Sequence, residues 1–147
     1  MHHYTECGLS YVYLKNGYEV IEEDGEKHFS VHDLHNLHKT IGKHIINQGQ
    51  PITGEQARYV RIELNYSQKQ LGELLGVDTQ TVARWEKEQT QGISRAVDAT
   101  LRSLYAEFID EDSKIGIILK VLAEANEKAD MQRLELEEND HQWKRVA

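Results

Sequence analysis

Two short helical stretches with almost nothing between them constrain this chain more than any other feature. Ser67 stands where a helix N-cap is expected, and Leu71, Leu74 and Leu75 follow at the spacing of one helix face. Gly76 comes directly after, where a helix end favours a residue that can turn left-handed. Val77 is apolar, and Asp78 or Thr79 can cap a further helix that carries Val82 and Trp85 inward. So short a connection forces the two helices to cross steeply, which is the geometry of a helix-turn-helix. The flanking sequence is helical as well. Thr53 with Gln56 predicts a capping box, and Ala57, Val60 and Leu64 share a face until Asn65-Tyr66 breaks the run. Gly92 ends the next loop, and Val97, Leu101, Leu104 and Phe108 then line a longer helix.

In such a pair the first helix braces against the DNA backbone, and the second presents its N-terminal, outward residues to base edges. With Val82 and Trp85 inside, Thr79, Gln80, Thr81, Ala83, Arg84 and Lys87 face out. Their chemistry suits the task. Arginine reads guanine through two hydrogen bonds, glutamine reads adenine in the same way, and threonine or alanine touches a thymine methyl. Gln80 and Arg84 are one turn apart and point the same way.

The stretch Ser67-Gln68-x-x-Leu71-Gly72-x-x-x-Gly76-Val77-x-x-x-x-Val82-Ala83-Arg84-Trp85-Glu86 resembles the helix-turn-helix of Cro/cI-type (XRE family) regulators. The resemblance covers residues 53–110. It implies a mainly α, lambda-repressor-like bundle. It also implies base contacts from Thr79, Gln80 and Arg84, phosphate contacts from Gln68, Thr81 and Lys87, and a core position for Trp85. Two places depart from the family pattern. Gly72 stands where the family has alanine, and Glu88-Gln89-Thr90 replaces a glycine after the Trp-Glu pair, so the following loop has its own course. Arg84-Trp85-Glu86-Lys87 and the N-terminal extension are also similar to the MqsA-like antitoxin group, whose partner domain binds zinc through paired cysteines. Cys7 is the single cysteine here, which excludes a four-cysteine zinc site. The Cys7-Gly8-Leu9 opening is similar to that of a group of bacterial regulators, a likeness that assigns no further chemistry.

The flanks read differently. Residues 1–50 predict a small α+β segment. Tyr11–Leu14 and Tyr18–Ile21 flank Lys15-Asn16-Gly17, and Asn-Gly between β-rich runs is a hairpin signal. Asp24-Gly25 is a second turn, and Lys27–Val31 a third short strand. Ser30 or Asp33 then caps an amphipathic helix with Leu34, Leu37, Ile41 and Ile45 on one face. Asn47–Pro51 is a linker that holds the only proline. Residues 51–110 form the helix-turn-helix domain. Residues 111–147 predict a helix over 113–130, then a hairpin from Leu134-Glu135-Leu136 through a turn at Glu138-Asn139-Asp140 to Gln142-Trp143-Lys144, with a frayed acidic tail as the alternative.

The net charge of −8 argues at first against DNA. By segment, residues 1–50 carry four basic and seven acidic side chains, 51–110 seven and nine, and 111–147 six and nine. The middle is therefore the least acidic part. A DNA-binding protein of this balance must gather its positive charge on one face and lean on base contacts. The apolar runs are short, no signal peptide is visible, and the lone cysteine fits a reducing compartment, so a cytoplasmic protein with no membrane span is expected.

Other chemistry is thinly supported. His32, His35 and His38 recur every third residue, with His28 and His44 flanking, and imidazoles at helical spacing can share a metal. Three at this spacing drift around a helix and no carboxylate set completes them, so surface or half-buried histidines are the reading and no metal or cofactor is expected. Cys7 has no cation beside it and Glu6 raises its pKa, which favours a buried thiol over a redox sensor. There is no phosphate loop, nucleophile elbow or His-Glu-x-x-His, so no catalytic residues are expected.

The reading is a sequence-specific DNA-binding regulator of double-stranded DNA, acting as a homodimeric repressor on an inverted repeat. The stripe from Val97 to Phe108 reads as core first and as a dimer face second. Ile115, Ile117, Ile118, Leu119, Val121 and Leu122 leave the 113–130 helix apolar on more than one side, which suggests burial both by its own domain and by a partner chain, so that residues 111–147 serve dimerisation or pack on the N-terminal segment. The alternatives are an antitoxin that neutralises a cognate toxin and represses its own operon, and an interaction module that no longer binds DNA.

Overall fold

The computed structural model describes residues 1–110 and 133–146. The helix expected over 113–130 lies outside the described residues. Among them the order is β1 (His2–His3), β2 (Tyr13–Leu14), β3 (Tyr18–Glu23), β4 (Glu26–Val31), α1 (Leu34–Asn47), α2 (Gly54–Glu63), α3 (Gln68–Leu75), α4 (Thr79–Lys87), α5 (Arg95–Ile109), β5 (Leu136–Asn139) and β6 (Gln142–Arg145). The mainly α architecture with a small α+β start and a C-terminal hairpin is the one the sequence predicts.

The strand pairing corrects one expectation. Tyr13–Leu14 does not turn at Asn16-Gly17 to meet β3 but pairs backward with His2–His3. The long hairpin is β3–β4, closed by Asp24-Gly25 with Glu23 opposite Glu26. A two-residue type I′ turn needs positive φ at both positions. Asp24 and Gly25 supply it at 52° and 81°, whereas of Asn16 and Gly17 only the glycine does. Aromatic stacking then ties the strands together, with His2 on Phe29 at 4.0 Å and His3 on Tyr13 at 4.4 Å. The C-terminal hairpin turns one step later than expected, at Asp140-His141, both of positive φ.

Asp33 is the N-cap of α1, its carboxylate accepting the Asn36 amide. Ile41 and Ile45 are buried, Leu37 is half-buried, and Leu34, expected on the same face, is exposed in the first turn. Gly42 lets α1 approach α5, since a Cβ there would lie 2.1 Å from the Tyr105 hydroxyl. Tyr105 is the buried aromatic of α5, and Phe108, expected to face inward, is 52% exposed.

One hydrophobic cluster joins Tyr4, Leu9, Leu14, Ile41 and Ile45 to Ile52, Val60, Leu71, Val82, Leu101 and Leu104. The linker is fastened to α5. Asp98 accepts the Ile52 amide at 2.7 Å and pairs with Arg102, whose guanidinium donates to the Gln48 carbonyl at 2.6 Å and the Gln50 carbonyl at 2.7 Å. Arg102 thus caps carbonyls just past the end of α1, sharing that of Gln50 with the Gln48 side-chain amide.

Candidate nucleic-acid interface

Local signals build the two helices of the motif. Ser67 Oγ accepts the Gln70 amide at 3.0 Å and Gln70 Oε1 accepts the Ser67 amide at 2.8 Å, a complete capping box at the start of α3. Gly76 ends the helix at φ 73°, ψ 28°, and the amides of Gly76 and Val77 both donate to the Gly72 carbonyl. Asp78 caps α4. Its Oδ1 accepts both the Thr81 amide and the Thr81 hydroxyl at 2.7 Å. Those Thr81 bonds, with the more distant Arg84 charge adding a little, hold the Asp78 carboxyl below the usual carboxylate range.

The turn is packed backbone on backbone. A Cβ at Gly72 would lie 2.7 Å from the Val77 carbonyl oxygen. The alanine expected from the family pattern does not fit this turn, which accounts for the glycine. A second close approach holds the far end of α4. A Cβ at Gly54 would lie 1.8 Å from the Trp85 carbonyl oxygen and 2.7 Å from that of Glu88. Here the departing loop has its use. The Gly54 and Glu55 amides at the start of α2 donate to the Gln91 and Gln89 carbonyls at 3.0 and 3.1 Å. The Thr53–Gln56 box is engaged mainly through its second arm. Gln56 Oε1 accepts the Thr53 amide at 3.1 Å, while the buried Thr53 hydroxyl makes no hydrogen bond.

An ion pair sets α4 against α2. Arg61 Nε and Nη2 donate to the two oxygens of Glu86 at 3.0 and 2.7 Å, and Nη1 donates to the Tyr66 carbonyl at 2.9 Å. The Glu86 side chain is 8% exposed and that of Arg61 13%. One guanidinium therefore ties together α2, the entry to α3 and the C-terminal turn of α4. Sequence reasoning missed this pair, because the partners are twenty-five residues apart and nothing local marks them.

The expected site residues fall on the open side of this frame. Val82 and Trp85 are buried, and Thr79, Gln80, Arg84 and Lys87 are exposed. Gln68 is half-buried at the first position of α3. Among the described residues none of these five makes a hydrogen bond of the kind that holds Arg61. Thr81 is half-buried, and its hydroxyl is already committed to Asp78.

The other candidates resolve into structural roles. His38 is half-buried, with Nε2 2.9 Å from the Tyr4 hydroxyl and Nδ1 2.9 Å from Glu63 Oε1, and its carbonyl accepts from Tyr59. His32 and His35 are exposed. Among the described residues no group of three or more His, Cys, Asp or Glu side chains is placed to hold a metal ion. Cys7 is half-buried and donates to the Tyr4 carbonyl. Burial pushes its thiol up, and the charges of Glu6 and Glu55 act in the same direction. No helix among the described residues is long and apolar enough to cross a membrane.

Residues 58–96 match the helix-turn-helix family model. No curated protein and no solved structure matches the chain. The match runs from Arg58 in α2 through both helices of the motif to the first turn of α5, so this segment is a helix-turn-helix of the Cro/cI type (XRE family), a module of DNA-binding transcription regulation.

Proposed function

We propose that the protein is a cytoplasmic, homodimeric repressor that reads an inverted repeat with one α4 in the major groove of each half-site. The observation that carries this reading is the uncommitted row Thr79, Gln80 and Arg84 on the open face of a helix whose other face is locked by Trp85 and Glu86. In this reading Thr79, Gln80 and Arg84 contact bases, and Gln68 and Lys87 contact phosphates. Thr81, whose hydroxyl proton is given to Asp78, acts through the cap the two residues share. Residues 51–110 do the reading and residues 1–50 brace them. On an acidic chain one module gains little from counterion release, and a second copy doubles the footprint with half-sites about 34 Å apart. Selection from random duplexes, followed by gel-shift titration, is the test. The expected result is a two-fold site, with Arg84→Ala costing about 1–3 kcal/mol and relaxing one base position. Selection that enriches no sequence at low salt would sink the reading.

A second reading, an antitoxin that also represses its operon, is favoured by the β3–β4 ribbon. It leaves Val20 and Ile21 exposed on its two opposite faces near Glu22, Glu23 and Glu26, apolar positions that a protein partner could cover. Co-expression with the neighbouring gene product tests it, and a toxic neighbour that co-purifies is the supporting result.

A further inference from the structure

The residue that starts α4 has more to offer than a cap. Oδ1 of Asp78 accepts two hydrogen bonds from Thr81, which hold the carboxylate at the helix end. Among the described residues no hydrogen bond occupies Oδ2, and the residue is exposed beside Thr79 and Gln80. The N-terminal end of the second helix is the part of a helix-turn-helix that meets base edges. A carboxylate there is an acceptor without a proton to give. Phosphate oxygens, guanine O6 and N7, and thymine O4 are acceptors too and repel it. Only an exocyclic amine offers what it needs. Cytosine presents N4 as a donor, whereas adenine sets its N6 donor beside the N7 acceptor. Resting on the DNA-reading role proposed for α4, we infer that Asp78 is a specificity-determining residue that selects a cytosine in each half-site through the free oxygen of its capped carboxylate.

The inference separates Asp78 from its neighbours. Gln80 and Arg84 add affinity for the right base. Asp78 adds little affinity near a polyanion and acts mainly by rejecting wrong bases, which is how an acidic protein can be selective without binding tightly.

Site selection on the full-length protein, run in parallel with Asp78→Asn and Asp78→Ser, is the test. Both replacements are good N-caps, so α4 keeps its start, and thermal melting checks that the fold does too. Asparagine adds a donor, and serine removes the charge. The wild-type site is expected to contain a cytosine whose preference falls about tenfold or more in both variants, with the other positions unchanged. A cytosine preference that survives both substitutions, or a wild-type site with no cytosine requirement, overturns the inference and leaves the DNA-reading proposal standing. If the wild type selects no site at all, the broader proposal fails and this one with it.

Discussion

The helical module and the N-terminal segment contribute to the same hydrophobic cluster, yet they are held in it by different means. Within residues 53–110 backbone meets backbone: Gly54 lies against the Trp85 carbonyl, Gly72 against the Val77 carbonyl, and one buried guanidinium closes the frame. Residues 1–50 meet the module through side chains: Tyr105 lies against Gly42, apolar residues share the core, and polar ends make the remaining links. The Tyr4 hydroxyl reaches His38, His38 reaches Glu63, and Arg102 reaches the carbonyls of the linker. A steric contact admits no extra atom, so α4 cannot accept a side chain at Gly54 or Gly72 without shifting. A set of separate hydrogen bonds can be lost one at a time. The proposed recognition surface therefore belongs to the part locked backbone on backbone.

The largest effect is expected at the mostly buried ion pair of the module. Glu86→Ala leaves Arg61 with only the Tyr66 carbonyl as a close partner, and removing one member of a buried pair costs about 3–5 kcal/mol. Arg58 lies 3.6 Å from the same carboxylate but is half exposed, so its share of the loss is small. Urea denaturation measures the stability. The double variant Arg61→Met, Glu86→Leu should recover most of it, because the desolvated charge is then gone. If Glu86→Ala unfolds at the wild-type midpoint, the pair does not hold the frame.

The two glycines rank next and differ from each other. Gly54→Ala drives a methyl to within 1.8 Å of a backbone oxygen that cannot swing aside. It is expected to cost about 3 kcal/mol, at the upper end for overpacking. Gly72→Ala meets its carbonyl at 2.7 Å, a smaller intrusion, and gains up to about 1 kcal/mol in helix propensity. Its net cost should be near 1 kcal/mol, with a loss of DNA affinity as the turn opens. Thermal melting of both variants checks the order. A reversal would mean that the turn, not the α2–α4 contact, is the tighter joint.

The same contrast explains what could be read in the sequence. Caps, αL glycines and apolar periodicity are local, so α2 to α5 and the face of α4 were legible from Thr53, Ser67, Gly76 and Val82. The N-terminal pairing was not. Whether Tyr13 pairs forward to β3 or back to His2 depends on contacts distant in sequence, and the Asn16-Gly17 signal carried no information about them. Leu34 and Phe108 fit their periodic stripes but sit on end turns of α1 and α5, where the described residues leave them about half exposed. Arg61 and Glu86 were invisible as a pair for the same reason of distance, and Gly72 registered only as a departure from a pattern until the Val77 carbonyl gave it a cause.

On the N-terminal side one bond at a time is at stake. Tyr4→Phe removes the hydroxyl from His38 Nε2 and should cost about 1 kcal/mol, the ordinary worth of such a bond. Affinity for the selected DNA should not change, since α4 is held from within the module. A gel shift weakened in step with the loss of stability would show that the brace reaches the recognition helix after all.

The last effect vanishes at neutral pH and appears only in alkali, at the seam between α1 and α5. Burial pushes the Tyr105 hydroxyl up to about 12, with the charge of Glu63 adding to it. Burial raises Tyr59 further in the same direction. In the unfolded chain a tyrosine gives up its proton near pH 10. Above that pH the unfolded state binds fewer protons than the folded one, so stability is present below pH 10 and drains away as the pH climbs toward 12. Each such group steepens the fall by up to about 1.4 kcal/mol per pH unit. Tyr105→Phe has no proton to lose and should flatten the limb between pH 10 and 12 by one group's share. Urea midpoints of the two proteins across that range measure the difference. Parallel limbs would mean that the Tyr105 hydroxyl reaches water despite its place against Gly42, and that the α1–α5 seam is looser than the contacts inside the module.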